Sequence, residues 1–95
     1  MKNDDVKKVY ISGKISGLEY ADAIDHFEDA ENWISEQDQC PVNPMRLLQH
    51  DMLDYADYLK ADIAVLIQCD AIYMLDNYVT SPGARLELSI AEALS

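Results

Sequence analysis

Three side chains in this chain belong to the types that glycosyl-transfer chemistry uses: the phenol of Tyr10 and the carboxyls of Asp62 and Glu87. In such chemistry one carboxylate attacks an anomeric carbon through an oxocarbenium-like transition state. A second carboxyl handles the proton of the leaving group, and a nearby hydroxyl orients the nucleophile. Glu87 closes the stretch Ser81-Pro82-Gly83-Ala84-Arg85-Leu86-Glu87, which follows the apolar run Ala71-Ile72-Tyr73-Met74-Leu75. The run reads as a strand and the stretch as the start of a helix. Ser81 suits the N-cap, where its hydroxyl accepts from a free backbone N–H, and Pro82 suits the first helical position, where its missing N–H costs nothing. The free N–H groups and dipole of that helix end favour an anion. Helical side chains lean toward the N-terminus, so Glu87 leans over the turn carrying Gly83, where the missing side chain leaves room for a ligand. The same residues also spell a well-capped helix with a solvated Glu, and an acidic chain offers many carboxylate pairs. Local spacing leaves both readings open.

The elements that must position these groups follow from periodicity. Lys8-Val9-Tyr10-Ile11-Ser12 is a β-rich run ending at Gly13 and reads as the first, central strand. Ser12-Gly13-Lys14-Ile15-Ser16-Gly17 is a loop with two glycines that matches neither a P-loop nor the dinucleotide fingerprint. Ser16 and Glu19 have capping-box spacing, which predicts a helix from Gly17 to between Glu36 and Asp38. Tyr20, Ile24, Phe27, Ala30 and Ile34 form its apolar face, with Trp33 beside it. Cys40-Pro41-Val42-Asn43-Pro44 is held out of helix by two prolines and reads as a short edge strand and turn. Asp51 and Asp54 are candidate starts for a second helix. Its apolar line is Met52, Ala56, Leu59, Ile63 and Leu66, with Tyr55, Tyr58 and Asp62 on one flank. Asp70 to Leu75 is the third strand, Asp76 to Thr80 a loop, and Pro82 to Leu94 the last helix, with Ala84, Leu88, Ala91 and Leu94 inward.

The order β-α-β-α-β-α predicts a small flavodoxin- or Rossmann-like three-layer α/β domain over residues 1–95, with residues 1–6 disordered. The sheet should be parallel with right-handed crossovers and strand order 2-1-3, ending after the third helix. That order places a topological switch between strands 1 and 3, and ligands bind there beyond the carboxyl ends of the strands. The loops Ser12 to Gly17 and Asp76 to Pro82 meet at that crevice, so the glycines and the topology converge on one place.

Composition narrows the function classes. The chain has 95 residues, 49% of them hydrophobic, and a net charge of −11. That size allows one core, and the hydrophobic content argues for a folded chain. Glu19, Asp22, Asp25, Glu28, Asp29, Glu31, Glu36 and Asp38 crowd one helix with no Lys or Arg among them, a surface that repels nucleic-acid phosphates. No apolar stretch is long enough to cross a bilayer and the N-terminus lacks a signal-peptide core, so a cytoplasmic protein without membrane contact is expected. Cys40 and Cys69 form no CxxC and are expected as small buried hydrophobes. His26 and His50 sit in no metal-binding pattern, and neither metal nor cofactor is expected.

Val9-Tyr10-Ile11-Ser12-Gly13, Val42-Asn43-Pro44, Ala61-Asp62-Ile63-Ala64 with Cys69-Asp70-Ala71-Ile72-Tyr73, and Ser81-x-Gly83-Ala84-x-x-Glu87 occur in this order. Together they resemble a group of small, functionally unassigned domains related to the nucleoside 2-deoxyribosyltransferases and the 2-deoxynucleoside 5′-monophosphate N-hydrolases. The resemblance runs from Lys8 to Leu94. It implies that Glu87 is the nucleophile on C1′ of a 2-deoxyribonucleoside, that Asp62 assists the departing base, and that Tyr10 is the tyrosine at the end of the first strand. The hydrolase branch implies a 5′-phosphate held by Gly13, Lys14, Ile15, Ser16, Gly17 and Ser81. Two departures stand out. Ser16 occupies a position that is basic in the hydrolase branch, and the relatives continue beyond the equivalent of Ser95 into segments that complete the pocket, partly across a dimer interface.

The resemblance implies a small-molecule nucleoside or nucleotide as partner, with N-glycosidic cleavage or 2-deoxyribosyl transfer as the activity. An exposed edge beside the third strand favours a homo-oligomer, a dimer or higher. Two other readings fit the same residues: a nucleotide-binding module without turnover, and an acidic interaction domain in which the helix from Gly17 to Glu36 engages a basic partner.

Overall fold

The structure, a computed structural model, describes residues 6–15, 17–46 and 55–94, with the backbone alone at Tyr55. Among the described residues, three strands, β1 (Lys8–Ser12), β2 (Cys40–Val42) and β3 (Ala71–Met74), and three helices, α1 (Tyr20–Glu36), α2 (Tyr55–Leu66) and α3 (Pro82–Leu94), alternate along the chain. Short 3₁₀ turns occupy Pro44–Arg46 and Asp76–Thr80. The sheet is parallel in the order β2-β1-β3, with Lys8 opposite Cys40 and Tyr10 opposite both Val42 and Ile72. No helix among the described residues is long and apolar enough to cross a membrane.

Strand alternation divides the work between the two faces of the sheet. Ile11 packs toward α1, where Phe27, Ala30 and Ile34 join it and Leu75 in the core, flanked by Val9, Met45 and Tyr73. Tyr10 and Ser12 point the other way, toward α3, which packs against both β1 and β3 and against α2. The result is three layers, with β1 buried on both sides.

Several expectations need correction. Helix α1 starts at Tyr20, three residues later than expected, because Gly17 sits at φ +86° in the left-handed region and turns the chain there. Glu19 is the N-cap and makes no side-chain cap bond, and Ser16, the other half of the expected capping box, lies outside the described residues. The buried line of α1 is therefore Ala23, Phe27, Ala30 and Ile34, while Ile24 is half-buried and Tyr20 stays 63% exposed. The helix ends as expected: Asp38 at φ 60° lets the Gln39 N–H reach Ile34 O and its own N–H reach Ser35 O, a Schellman closure. Trp33 packs obliquely on Tyr73 with ring centroids 5.5 Å apart.

Helix α2 buries only Leu66 fully, with Leu59 and Ile63 half-buried and Ala56 exposed, because it borders an open cavity rather than a second layer of core. In α3 Ala84 and Glu87 are the buried pair, Leu88 and Ala91 are half-buried, and Leu94 is 64% exposed since the helix outruns the sheet beneath it. Cys40 is exposed and Cys69 half-buried, against the expectation that both are core residues, because Cys40 opens a three-residue edge strand. His26 is exposed. The expectations for residues 1–5, His50, Asp51, Met52 and Asp54, and for the side chain of Tyr55, lie outside the described residues. Val6 is exposed, and the Lys7 N–H donates to Gln39 Oε1 at 2.7 Å.

Gly13 ends β1 against the side chain of Leu75, whose Cγ and Cβ would lie 2.7 and 2.8 Å from a Cβ at this position. Those atoms belong to a core residue and cannot swing away. Gly13→Ala is expected to destabilise the fold by about 1–3 kcal/mol, the usual cost of overpacking, as read from urea denaturation midpoints.

Candidate active site

The carboxyl ends of β1 and β3 open into a cavity of about 910 Å³. It lies at the switch point, where the chain leaves β1 for α1 and β3 for α3 on opposite faces of the sheet. Tyr10, Asp62 and Glu87 all line it, as do Gly13, Lys14, Ile15, Ser81 and Gly83. Of the site residues expected from sequence, Gly17 is described and does not border the cavity, because it turns the chain away before α1, and Ser16 lies outside the described residues.

Glu87 sits one turn into α3 and is only 5% exposed. Burying a carboxylate is costly unless its oxygens are hydrogen-bonded. Here each oxygen has its own donor: Tyr10 Oη donates to Oε2 at 2.8 Å and Ser12 Oγ to Oε1 at 2.7 Å. Tyr10 and Ser12 are both essentially inaccessible and two residues apart on one face of β1. Among the described residues no buried side-chain nitrogen or oxygen lacks a hydrogen-bond partner. The local folding reason is the N-terminus of α3, where the Ser81 hydroxyl caps the Ala84 N–H at 3.2 Å and the Ser81 carbonyl accepts from Arg85. Both fix the helix phase that turns Glu87 onto the sheet.

The electrostatics follow from burial. Desolvation raises the Glu87 carboxyl above the ordinary carboxylate range, while the bonds from Ser12 and Tyr10 pull it back down. Burial, with the charges of Glu87 and Asp62 adding to it, holds the Tyr10 phenol far above its ordinary value, so it remains a proton donor throughout the accessible pH range. Asp62 is half-buried on α2, and desolvation first, then the Glu87 charge, push its carboxyl up to about 7. Two carboxyls facing one cavity with unequal environments can divide acid and base roles between them.

The loop after β1 is tied to the turn after β3. The Lys14 N–H donates to Asn77 Oδ1 at 2.9 Å and its Nζ to Thr80 Oγ1 at 3.2 Å. This holds the Lys14 ammonium beside the first turn of α3. Across the cavity, Tyr20, Phe27, Met45, Tyr58 and Leu59 supply aromatic and apolar wall. Arg46 clasps Glu31 on α1 at 2.7 Å, anchoring the Pro44–Arg46 turn that carries Met45 into that wall. Sequence reading missed Ser12 as a site residue, together with Asn77, Thr80 and the wall residues. The alternation of β1 was the one available signal for Ser12, since it shares its face with Tyr10. No group of three or more metal-ligating side chains exists among the described residues.

Fold and site together define a small three-layer α/β protein with a ligand-sized crevice at the switch point of a parallel sheet and a buried, doubly held carboxylate inside it. The chain belongs to the family described as Domain of unknown function (DUF4406), whose family model matches residues 7–95. No curated protein and no solved structure matches it.

Proposed function

We propose that this protein cleaves the N-glycosidic bond of 2-deoxyribonucleosides or their 5′-monophosphates, or transfers the sugar to another base, with Glu87 as the nucleophile. The observation that carries this reading is the pairing in one cavity of a buried, hydroxyl-held carboxylate with a second carboxyl whose pKa is raised to about 7.

Glu87, ionised, forms a bond from a carboxylate oxygen to C1′ as the C1′–N bond breaks. The bonding electrons leave with the base, which takes a proton from the neutral carboxyl of Asp62. A carboxylate has about four lone-pair positions, so accepting one bond at each oxygen leaves electrons for attack. In the second half, water adds at C1′ and gives its proton to the Asp62 carboxylate. The bond to Glu87 breaks, and its electrons restore the carboxylate. A free base in place of water gives the transferase outcome. The aromatic and apolar wall of Tyr20, Phe27 and Tyr58 suits a flat base, and Lys14 beside the start of α3 suits a 5′-phosphate.

The test is chromatographic detection of free base from a panel of 2-deoxyribonucleosides and their 5′-monophosphates, beside calorimetric titration with the same compounds. Base release from the wild type supports the reading. Binding without release overturns it in favour of a nucleotide-capture module, and neither binding nor release removes both. Lys14→Ala is expected to raise KM for the monophosphate about tenfold, the equivalent of one charge-assisted contact, and to raise it less for the nucleoside. Steady-state kinetics on the two substrates make that comparison.

A further inference from the structure

Among the described residues, Tyr10 and Ser12 are the two that donate to Glu87, Ser12 at 2.7 Å to Oε1, and Ser12 is 1% exposed. Tyr10 and Ser12 divide the carboxylate between them, but they differ in what lies beyond. Tyr10 borders the cavity and Ser12 does not. We infer that Ser12 is a positioning residue that pins Oε1 of Glu87 on the sheet side, so that Oε2 is the oxygen presented to a ligand.

The physical reason is rotational. The last torsion of a glutamate side chain is broad, so one donor alone leaves the carboxylate free to swing and exchange its oxygens. Two donors projecting from one strand face fix its plane. The Ser12 bond is buried and charge-assisted, which makes it the stronger kind. The consequence for turnover rests on Glu87 acting as nucleophile, whereas the anchoring itself does not. When Oε2 bonds to C1′, Oε1 becomes the carbonyl oxygen and keeps its bond from Ser12. When the C1′–Oε2 bond breaks, its electron pair returns to a carboxylate that Ser12 is already placed to stabilise. Among the described residues, the titratable groups that face Glu87 are Tyr10 from β1 and Asp62 from α2, and Tyr10 keeps its proton.

The experiment uses Ser12→Ala in the full chain. The Glu87 carboxyl is followed by carbon NMR on glutamate-labelled protein, its signal assigned by its loss in Glu87→Gln. Removing the Ser12 donor is expected to shift the Glu87 titration upward, because that bond now opposes the effect of burial. In turnover, kcat should fall about 10- to 100-fold, the rate equivalent of one charge-assisted hydrogen bond, with KM little changed because Oε1 faces away from the ligand. The acid limb of the pH profile should move upward with the titration. An unshifted Glu87 titration in folded Ser12→Ala overturns the inference, as does a loss of activity that appears only as a raised KM. If Ser12→Ala does not fold, Ser12→Cys fills the site with only a weak donor and carries the same readings. The titration needs no substrate. A wild type that releases no base therefore defeats the nucleophile reading while the NMR result still decides the anchoring.

Discussion

Replacing Glu87 with glutamine is expected to abolish base release, on the order of 10⁴-fold or more, while the fold survives. The amide keeps the size of the carboxyl in a position that is 5% exposed, so no cavity opens. The hydroxyls of Tyr10 and Ser12 lose one acceptor oxygen to an NH₂ group, and a hydroxyl can rotate to accept from it instead. What the amide cannot do is attack C1′ and leave again as a stable anion. Glu87→Ala should stop turnover equally and also lower stability, because it leaves two buried hydroxyls without their partner. Base release measured beside thermal denaturation separates the two variants. Unchanged base release in Glu87→Gln removes Glu87 from the chemistry, whatever the substrate.

The pH dependence is the second large effect. Turnover by the proposed route requires Glu87 ionised and Asp62 protonated. With the Asp62 carboxyl pushed up to about 7, activity should fall as pH rises through neutrality. The acid limb should lie above the ordinary carboxylate range, because burial raises Glu87. Asp62→Asn is expected to lower base release about 10²- to 10⁴-fold, the usual contribution of a positioned proton donor, and to erase the alkaline limb. The same group affects stability with a definite sign. Its folded value lies above its ordinary value of 3.8, so between the two the folded state binds the proton and the unfolded state does not. Stability from this group is therefore full below about 3.8 and lost as pH rises through about 7. Melting temperatures of wild type and Asp62→Asn should draw apart as pH rises from 4 to 8, with the variant the more stable at the upper end. Parallel curves would place Asp62 in a solvated setting and remove it as the acid.

Much of the fold was legible because it rests on local chemistry. β1, β3 and α3 occupy the spans that their residues predict, since β-branched runs, a Ser-Pro helix start and flanking breakers all act within a few positions. The strand order 2-1-3 followed from the alternation of strands and helices. The start of α1 was misplaced because a capping-box spacing competed with a glycine whose left-handed backbone no spacing reveals. The inward faces of α1 and α3 were shifted in part, because a helix buries whatever the sheet beneath it reaches, and Tyr20 and Leu94 lie past its ends.

The residue types at the candidate site, Tyr10, Asp62 and Glu87, and the strand and helices that carry them were legible in the sequence alone, together with the prediction that a switch-point crevice lies between β1 and β3. Tertiary structure alone decided that Glu87 is buried rather than solvated, that Ser12 joins Tyr10 in holding it, and that Asp62 faces the same cavity. Those facts depend on contacts between residues 75 and 77 positions apart and on desolvation, which is a property of the packed interior and not of any segment.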